Sequence, residues 1–119
     1  MNPNKLLWRL LHINEAAELA LYLAKGESPE TFFENSPVEN AVVYQLIIIG
    51  EAAAVILKKY PQFAALHPEI PWVEMRNMRN LYVHEYYRDF SNESWYMVSE
   101  KLPLIYKLIN AVINSLTKD

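Results

Sequence analysis

The sequence has 119 residues, no cysteine, and a net charge of −3 from 11 basic and 14 acidic side chains. The length predicts a single domain over residues 1–119, and the lack of thiols excludes disulfides, thiolate metal sites and cysteine nucleophiles. Residues 1–40 alone carry three basic and six acidic side chains, so the chain lacks the basic footprint of a duplex-binding protein. A nucleic-acid substrate would have to be held by a small local cluster of cations.

Apolar and aromatic residues make up 52% of the chain, above the roughly 45–50% usual in soluble proteins. A small domain has limited interior space, so this surplus predicts burial against another chain in a homo-oligomer. The N-terminus shows no secretory signal. Residues 41–57 are the only candidate membrane span, but they fall short of about 20 residues and contain Glu51. We therefore expect a cytoplasmic protein without a membrane segment.

Helical periodicity and the absence of hairpin turn dipeptides predict an all-α fold. The first helix is predicted over about residues 4–25, with Gly26 just past its end in the left-handed conformation. The connector that follows contains Ser28 and Pro29 and has room for one helical turn through Phe32 and Phe33.

The rest of the chain predicts three further helices, with Ser36 as N-cap of the second. The second is expected over about 37–59 and the third over 71–87, with a loop between Pro61 and Pro68. A turn at 89–92 precedes a last helix over about 92–117, which Pro103 should kink or divide in two. The predicted architecture is a four- to five-helix bundle.

The second helix is apolar almost all round, because only Gln45 and Glu51 are strongly polar between Ala41 and Leu57. Such a helix is covered on several sides. A partner chain is one explanation, and a central helix wrapped by its own chain is the other.

Glu51 requires a partner if it is buried, because an unpaired buried carboxylate is costly. Arg76 and Arg79 on the third helix are the candidate cations, and a pair with either would set the direction of its guanidinium. The alternative is an exposed or protonated Glu51 that serves packing only. Gly50 beside it is expected to permit close approach of another helix.

The third helix carries polar groups suited to phosphodiester cleavage. In helical projection Arg79, Asn80 and His84 share one broad side with Arg76, and aromatic residues including Trp72 and Tyr86 lie between them. Arginine can neutralise charge on phosphoryl oxygens, histidine can move a proton near neutral pH, and aromatic rings can stack on unpaired bases. Taken alone, one arginine, one asparagine and one histidine on a helix more commonly have a structural role than a catalytic one.

No acidic triplet or histidine cluster suggests a metal site, and His12 and His67 are expected to be surface or capping residues rather than ligands. We therefore expect a mechanism without metal and without any other cofactor.

Residues 78–86, M-R-N-L-Y-V-H-E-Y, resemble the R-N-x-x-x-H-x-Y signature of the HepT proteins in the HEPN superfamily. Three shorter pieces agree in order: I-G-E-A-A at 49–53, I-P-W at 70–72, and L-P at 102–103. The resemblance is close over about residues 40–105 and extends to the whole chain in helix pattern.

The resemblance implies an all-helical homodimer in which the motif helices meet at the dimer cleft. It also implies a metal-independent ribonuclease that works by 2′-hydroxyl attack and is the toxin of a toxin–antitoxin pair. The implied antitoxin is a minimal nucleotidyltransferase, with which the dimer could form a larger hetero-oligomer. Carried over by position, Arg79 and His84 would be catalytic with Asn80 in support, and Tyr86 would be adenylylated. The competing hypothesis is a non-catalytic helical module that docks a nucleotidyltransferase.

Overall fold

The computed structural model describes residues 3–85 and 88–118, with side chains from residue 5. These residues form helices and no strand, which confirms the all-α class. Four long helices are joined by three short ones and a π-helical turn. Their bounds are α1 Pro3–Ala24, α2 Pro29–Glu34, α3 Ser36–Lys59, α4 Pro61–Leu66, α5 Trp72–His84, α6 Ser91–Tyr96, the π-helical turn Met97–Lys101, and α7 Leu102–Thr117.

Local signals place most helix ends where the sequence predicted them. Gly26 has a φ of 84° just beyond α1, and Ser28 forms a capping box with Thr31 at the start of α2. The predicted N-cap of α3 is one residue off. Asn35, not Ser36, is the cap, and its Oδ1 accepts a hydrogen bond from the Val38 backbone N–H at 3.3 Å.

Two predicted segments are wrong in extent. The predicted loop after Pro61 is helix α4, because a proline at the first helical position is preorganised for a short helix. Helix α5 ends at His84 rather than at 87, and Glu85 is its C-cap. The predicted break at Pro103 is confirmed. The π-helical turn ends immediately before α7, where the proline ring and missing N–H disfavour a regular α-helix.

Helix α3 lies at the centre, packed against α1 and α5, and α7 packs against α1. Side chains from all four long helices fill the core, among them Leu10, Ile49, Met75 and Ile105. In the part of the chain the structure describes, α3 alone is long and apolar enough to cross a membrane. Its packing against α1 and α5 is instead that of a core helix.

The core leaves one side of α3 uncovered. Val42, Leu46 and Ile49 are buried, whereas Ile47 and Ile48 are half-buried and Tyr44 is 62% exposed. Helix α3 is therefore central to its own chain and still presents an apolar stripe next to α5.

Candidate functional site

Helix α5 crosses α3 at Gly50 with almost no space between the backbones. A Cβ added at Gly50 would lie 2.6 Å from the carbonyl oxygen of Met75 and would collide with the Cβ of Arg79. Only a residue without a side chain fits there. The predicted close approach is confirmed, and it brings Arg79 directly onto the surface of α3.

Arg79 forms an ion pair with Glu51, the residue after this glycine. Its Nη2 lies 3.1 Å from Oε1 and donates a hydrogen bond of 3.2 Å to Oε2. The structure thus selects Arg79 over Arg76 as the partner of Glu51. The Glu51 side chain is 46% exposed and that of Arg79 30%, so the pair is only partly buried. Water therefore weakens the attraction, and the pair chiefly directs the guanidinium.

Asn80 holds the other end of the same guanidinium. Its Oδ1 accepts a hydrogen bond of 2.7 Å from Arg79 Nη1. The amide oxygen of Asn80 is therefore engaged by the residue that precedes it in sequence. Arg79 is braced by an acceptor at each terminal nitrogen, so little side-chain freedom remains to be lost when it binds an anion.

A cavity of about 370 Å³ opens beside this pair, between α1, α3 and α5. Helix α1 contributes two side chains that sequence reasoning did not place in the site, Arg9 and His12, and α3 contributes Tyr44. The lining combines charged, aromatic and aliphatic side chains. Its residues are Arg9, His12, Tyr44, Ile47, Ile48, Glu51, Ala52, Arg79 and Val83.

The two histidines outside the motif differ from one another. His67 is the C-cap of α4 and pairs with Glu69 at 3.3 Å, in agreement with its expected surface or capping role. His12 is half-buried within α1, lies 4.1 Å from the ring of Trp8 between centroids, and lines the cavity. His12 is therefore not a helix cap, but its half-buried ring remains accessible from the cavity.

The remaining predicted site residues that the structure describes do not line the cavity. His84 is exposed at the last position of α5 and does not line the cavity. Arg76 is also outside it and donates a long hydrogen bond of 3.4 Å to Asn77. Trp72 is buried and donates to the backbone oxygen of His67, so it cannot stack on a base as expected. Tyr86 lies outside the described residues.

Tyr82 anchors the end of α5 that carries His84. It is buried, packs edge-on against Phe90, and its hydroxyl forms a hydrogen bond of 2.6 Å with the Oγ of buried Ser94. Burial raises the pKa of Tyr82 well above its ordinary range, and the negative charges of Glu93 and Glu39 raise it further, while the bond from Ser94 partly opposes them. The hydroxyl therefore remains protonated, and α5 is tied to α6.

The arrangement suits a phosphate group better than a metal ion. Two guanidinium groups and an imidazole line one cavity with a single carboxylate, and guanidinium is the side chain best matched to phosphate oxygens. Within residues 3–85 and 88–118 no group of three histidine, aspartate or glutamate side chains is placed to hold a metal.

The family model described as Ribonuclease HepT-like matches residues 13–112. The chain belongs to the HepT-like ribonuclease family. This confirms the resemblance drawn from residues 78–86, and it confirms the enzyme class as ribonuclease. The matched segment includes both sides of the Glu51–Arg79 pair and His84, while Arg9 lies before it.

Individual relatives agree with the HepT-like assignment. The chain is 38% identical over 92 residues to a "Probable ribonuclease HepT" of Thermococcus cleftensis, covering 76% of this chain and 80% of that one. It is 30% identical over 104 residues to a provisionally named RNase of Caldanaerobacter subterraneus subsp. tengcongensis, covering 87% and 90%. A Methanocaldococcus jannaschii protein named for gamma-glutamylcyclotransferase and provisional RNase functions is 29% identical, and the chain spans 48% of its length. No solved structure gives a significant match.

Proposed function

We propose that this HepT-like protein is a metal-independent RNA endonuclease in which Arg79 stabilises charge on the phosphoryl group and His84 transfers protons. The proposal rests on the two contacts that fix the Arg79 guanidinium: the ion pair with Glu51 at 3.1 Å and the hydrogen bond to Asn80 at 2.7 Å. A guanidinium fixed before substrate arrives stabilises a developing charge without reorganising during the reaction.

The proposed reaction needs one acid and one base. The ribose 2′-oxygen attacks the phosphorus and gives its proton to a base, while the bond from phosphorus to the 5′-oxygen breaks and that oxygen takes a proton from an acid. The products are a 2′,3′-cyclic phosphate and a free 5′-hydroxyl. Histidine suits both steps because its ordinary pKa lies near 6.5. Exposed His84 is open to substrate at the end of α5.

A homodimer would supply two copies of His84 to one cleft, so that one acts as base while the other acts as acid. Exposed apolar side chains outside the cavity support such an association. Trp8 is 51% and Leu11 38% exposed on α1, and Val73 is 50% exposed on α5. Large apolar surface of this kind commonly marks an interface. The dimer would bring the two α5 helices together at the motif.

We further propose that the enzyme is a cytoplasmic toxin restrained by a nucleotidyltransferase antitoxin, in a complex that can exceed the dimer. Transfer of AMP to Tyr86 would add a negative phosphodiester two residues beyond His84, where it could occupy Arg79 in place of RNA. With ATP present, the partner should neutralise the wild type and a Tyr87→Phe control. It should fail to neutralise Tyr86→Phe, and full neutralisation of that variant would count against modification at this residue.

The proposed nuclease activity is tested by incubating the purified protein with single-stranded RNA in excess EDTA. Wild type should cut, and His84→Ala should lose about 10²- to 10⁴-fold in rate, the usual contribution of a general acid or base. His67→Ala is the matched control, since it removes a histidine that does not line the cavity. Circular dichroism and sedimentation establish that each variant is folded and of unchanged assembly. Equal cleavage by wild type and His84→Ala would overturn the assignment.

The second candidate is a non-catalytic module that docks a nucleotidyltransferase. It is favoured by the Glu51 carboxylate, which already offsets the charge of Arg79, and by the exposed apolar side chains around the cavity. In that case the wild-type dimer would hydrolyse no RNA, and tight binding of the partner would survive His84→Ala.

A further inference from the structure

We infer that the cavity between α1, α3 and α5 is a subsite for one nucleotide of single-stranded RNA, in which Arg9 holds a phosphate and Tyr44 stacks on the base. The inference rests on the proposed function and names a binding element outside the motif. His84 lies outside the cavity and Arg79 lies in its wall, so the nucleotide bound here adjoins the phosphodiester that is cut.

Charge identifies Arg9 as the group that binds the phosphate. The charge of Arg79 is offset by Glu51 at 3.1 Å, so this pair attracts an anion only weakly from a distance. Arg9 lines the same cavity and has no carboxylate within 4.0 Å among the described residues, where five other ion pairs do form. Its guanidinium supplies the unmatched positive charge that a phosphate requires.

The side chains of α1 also hold Arg9 in place. Its Cζ lies 4.9 Å from the centroid of the Trp8 ring, within the range of a cation–π contact. His12, one turn further along α1, packs on the same ring at 4.1 Å. A guanidinium lying over an aromatic ring keeps the N–H donors at its edge available, so this contact directs Arg9 without using up its hydrogen bonds.

The size and lining of the cavity fit a nucleotide. Its volume of about 370 Å³ is near the lower end of the roughly 300–1,000 Å³ typical of small-ligand sites, which admits one nucleotide and not a duplex. Ile47, Ile48 and Val83 offer apolar wall to a ribose or base. Tyr44, 62% exposed on the same α3 stripe, presents a ring on which a base can stack.

The first experiment measures binding separately from cleavage. The probe is a fluorescein-labelled 12-nucleotide 2′-O-methyl oligoribonucleotide, which lacks the attacking hydroxyl, and the readout is anisotropy over a range of salt concentrations. Arg9→Gln should weaken binding about tenfold and reduce the salt slope by about 0.7, the value for one phosphate contact on a single strand. Lys5→Gln is the matched control, because it removes one charge from exposed α1 surface outside the cavity and should change both quantities less.

The base contact is tested with the same probe. Tyr44→Ala should weaken binding at least fivefold, because stacking on one base contributes about 1–3 kcal/mol, and Tyr44→Phe should bind like wild type. In cleavage assays with ordinary RNA, Arg9→Gln and Tyr44→Ala should raise KM and largely preserve kcat, whereas His84→Ala should lose kcat and still bind the probe.

The outcomes separate this inference from the proposed function. If wild type cuts RNA but Arg9→Gln and Tyr44→Ala bind and cut like Lys5→Gln, the subsite is wrong and the nuclease stands. If wild type cuts nothing yet binds the probe in an Arg9- and Tyr44-dependent way, the subsite stands and the nuclease is wrong. If wild type neither binds the probe nor cuts RNA, both the subsite and the nuclease are wrong. Binding of a partner protein at this cavity would then explain the exposed side chains at its rim.

Discussion

Arg79 on α5 and Glu51 on α3 form an ion pair where the two helices cross, and Gly50 makes this contact possible. Gly50 lets the α5 backbone settle against α3, which sets the separation of guanidinium and carboxylate at 3.1 Å. The ion pair is partly exposed and therefore contributes little to the free energy of unfolding. The ion pair chiefly directs the Arg79 side chain. Its effect on catalysis can therefore be measured separately from its effect on stability.

Replacing Glu51 should impair catalysis much more than stability. In Glu51→Ala the guanidinium loses one of its two braces, and kcat should fall by up to about 100-fold, the scale of a 1 Å misplacement of a catalytic group. KM should change little, since the lost interaction acts in the transition state. Glu51→Gln should recover part of kcat, because its amide oxygen can still accept from Arg79.

The matched control for Glu51 is Glu74→Ala. Glu74 pairs with Lys101 at 3.0 Å and is similarly exposed, but it lies away from the cavity. Both alanine variants should unfold within about 1 kcal/mol of wild type in urea, and only Glu51→Ala should lose kcat. Equal kcat in the two variants would mean that the ion pair does not position Arg79.

Gly50→Ala should destabilise the protein although alanine is the better helix former. The added Cβ would lie 2.6 Å from the Met75 carbonyl oxygen, so α5 must shift, and overpacking of this kind costs about 1–3 kcal/mol. An ordinary glycine-to-alanine change within a helix stabilises by about 1 kcal/mol. Urea unfolding should therefore show a lower midpoint together with reduced RNA cleavage.

The control for the Gly50 variant is Asn40→Ala, an exposed position of the same helix, where the change should be neutral or slightly stabilising. A Gly50→Ala protein as stable and as active as wild type would show that α3 and α5 can separate without consequence for Arg79.

The sequence predicted the long helices and the contact of Glu51 with an arginine of α5, because both depend on local patterns. Apolar periodicity and prolines located the long helices, and an acidic residue beside a glycine in an apolar helix predicted both the close approach and the arginine partner. The choice between Arg76 and Arg79 required the direction from which α5 crosses α3, which helical projection alone does not contain.

The α1 wall of the cavity was missed for a related reason. The missed side chains come from helices that lie 35–70 residues before the motif, and they are Arg9, His12 and Tyr44. A helical pattern distinguishes a buried face from an exposed one. It does not show which other helix lies beside the exposed face. One signal was available: Trp8 and Leu11 are large apolar residues on the face of α1 opposite its core stripe. Helix α4 was missed because six residues are too few to show a period.

The buried hydroxyls of Tyr82 and Ser94 should depend on each other, so each single substitution should destabilise the protein by more than the net contribution of their hydrogen bond. Tyr82→Phe leaves the Ser94 hydroxyl buried without its partner, at a cost of about 1–3 kcal/mol in the free energy of unfolding, and Ser94→Ala should cost a similar amount. The double variant should be less destabilised than the sum of the two. Additive losses in urea unfolding would mean that the two hydroxyls do not act as a pair.

Tyr82 should also make the protein sensitive to alkali. Burial raises the pKa of its hydroxyl in the folded state above the ordinary value near 10, and Glu93 and Glu39 add to that shift. Between these two pKa values the unfolded chain loses the proton while the folded chain keeps it, so the folded state binds more protons and stability falls as pH rises. The contribution of Tyr82 to the free energy of unfolding is complete below about pH 10 and declines above it.

Urea unfolding at pH 8 and pH 11 tests this expectation. The loss of stability between the two pH values should be smaller in Tyr82→Phe than in wild type. The control is Tyr22→Phe, which changes an exposed tyrosine and should lose as much as wild type. An identical decline in Tyr82→Phe and wild type would assign the alkaline sensitivity to other groups.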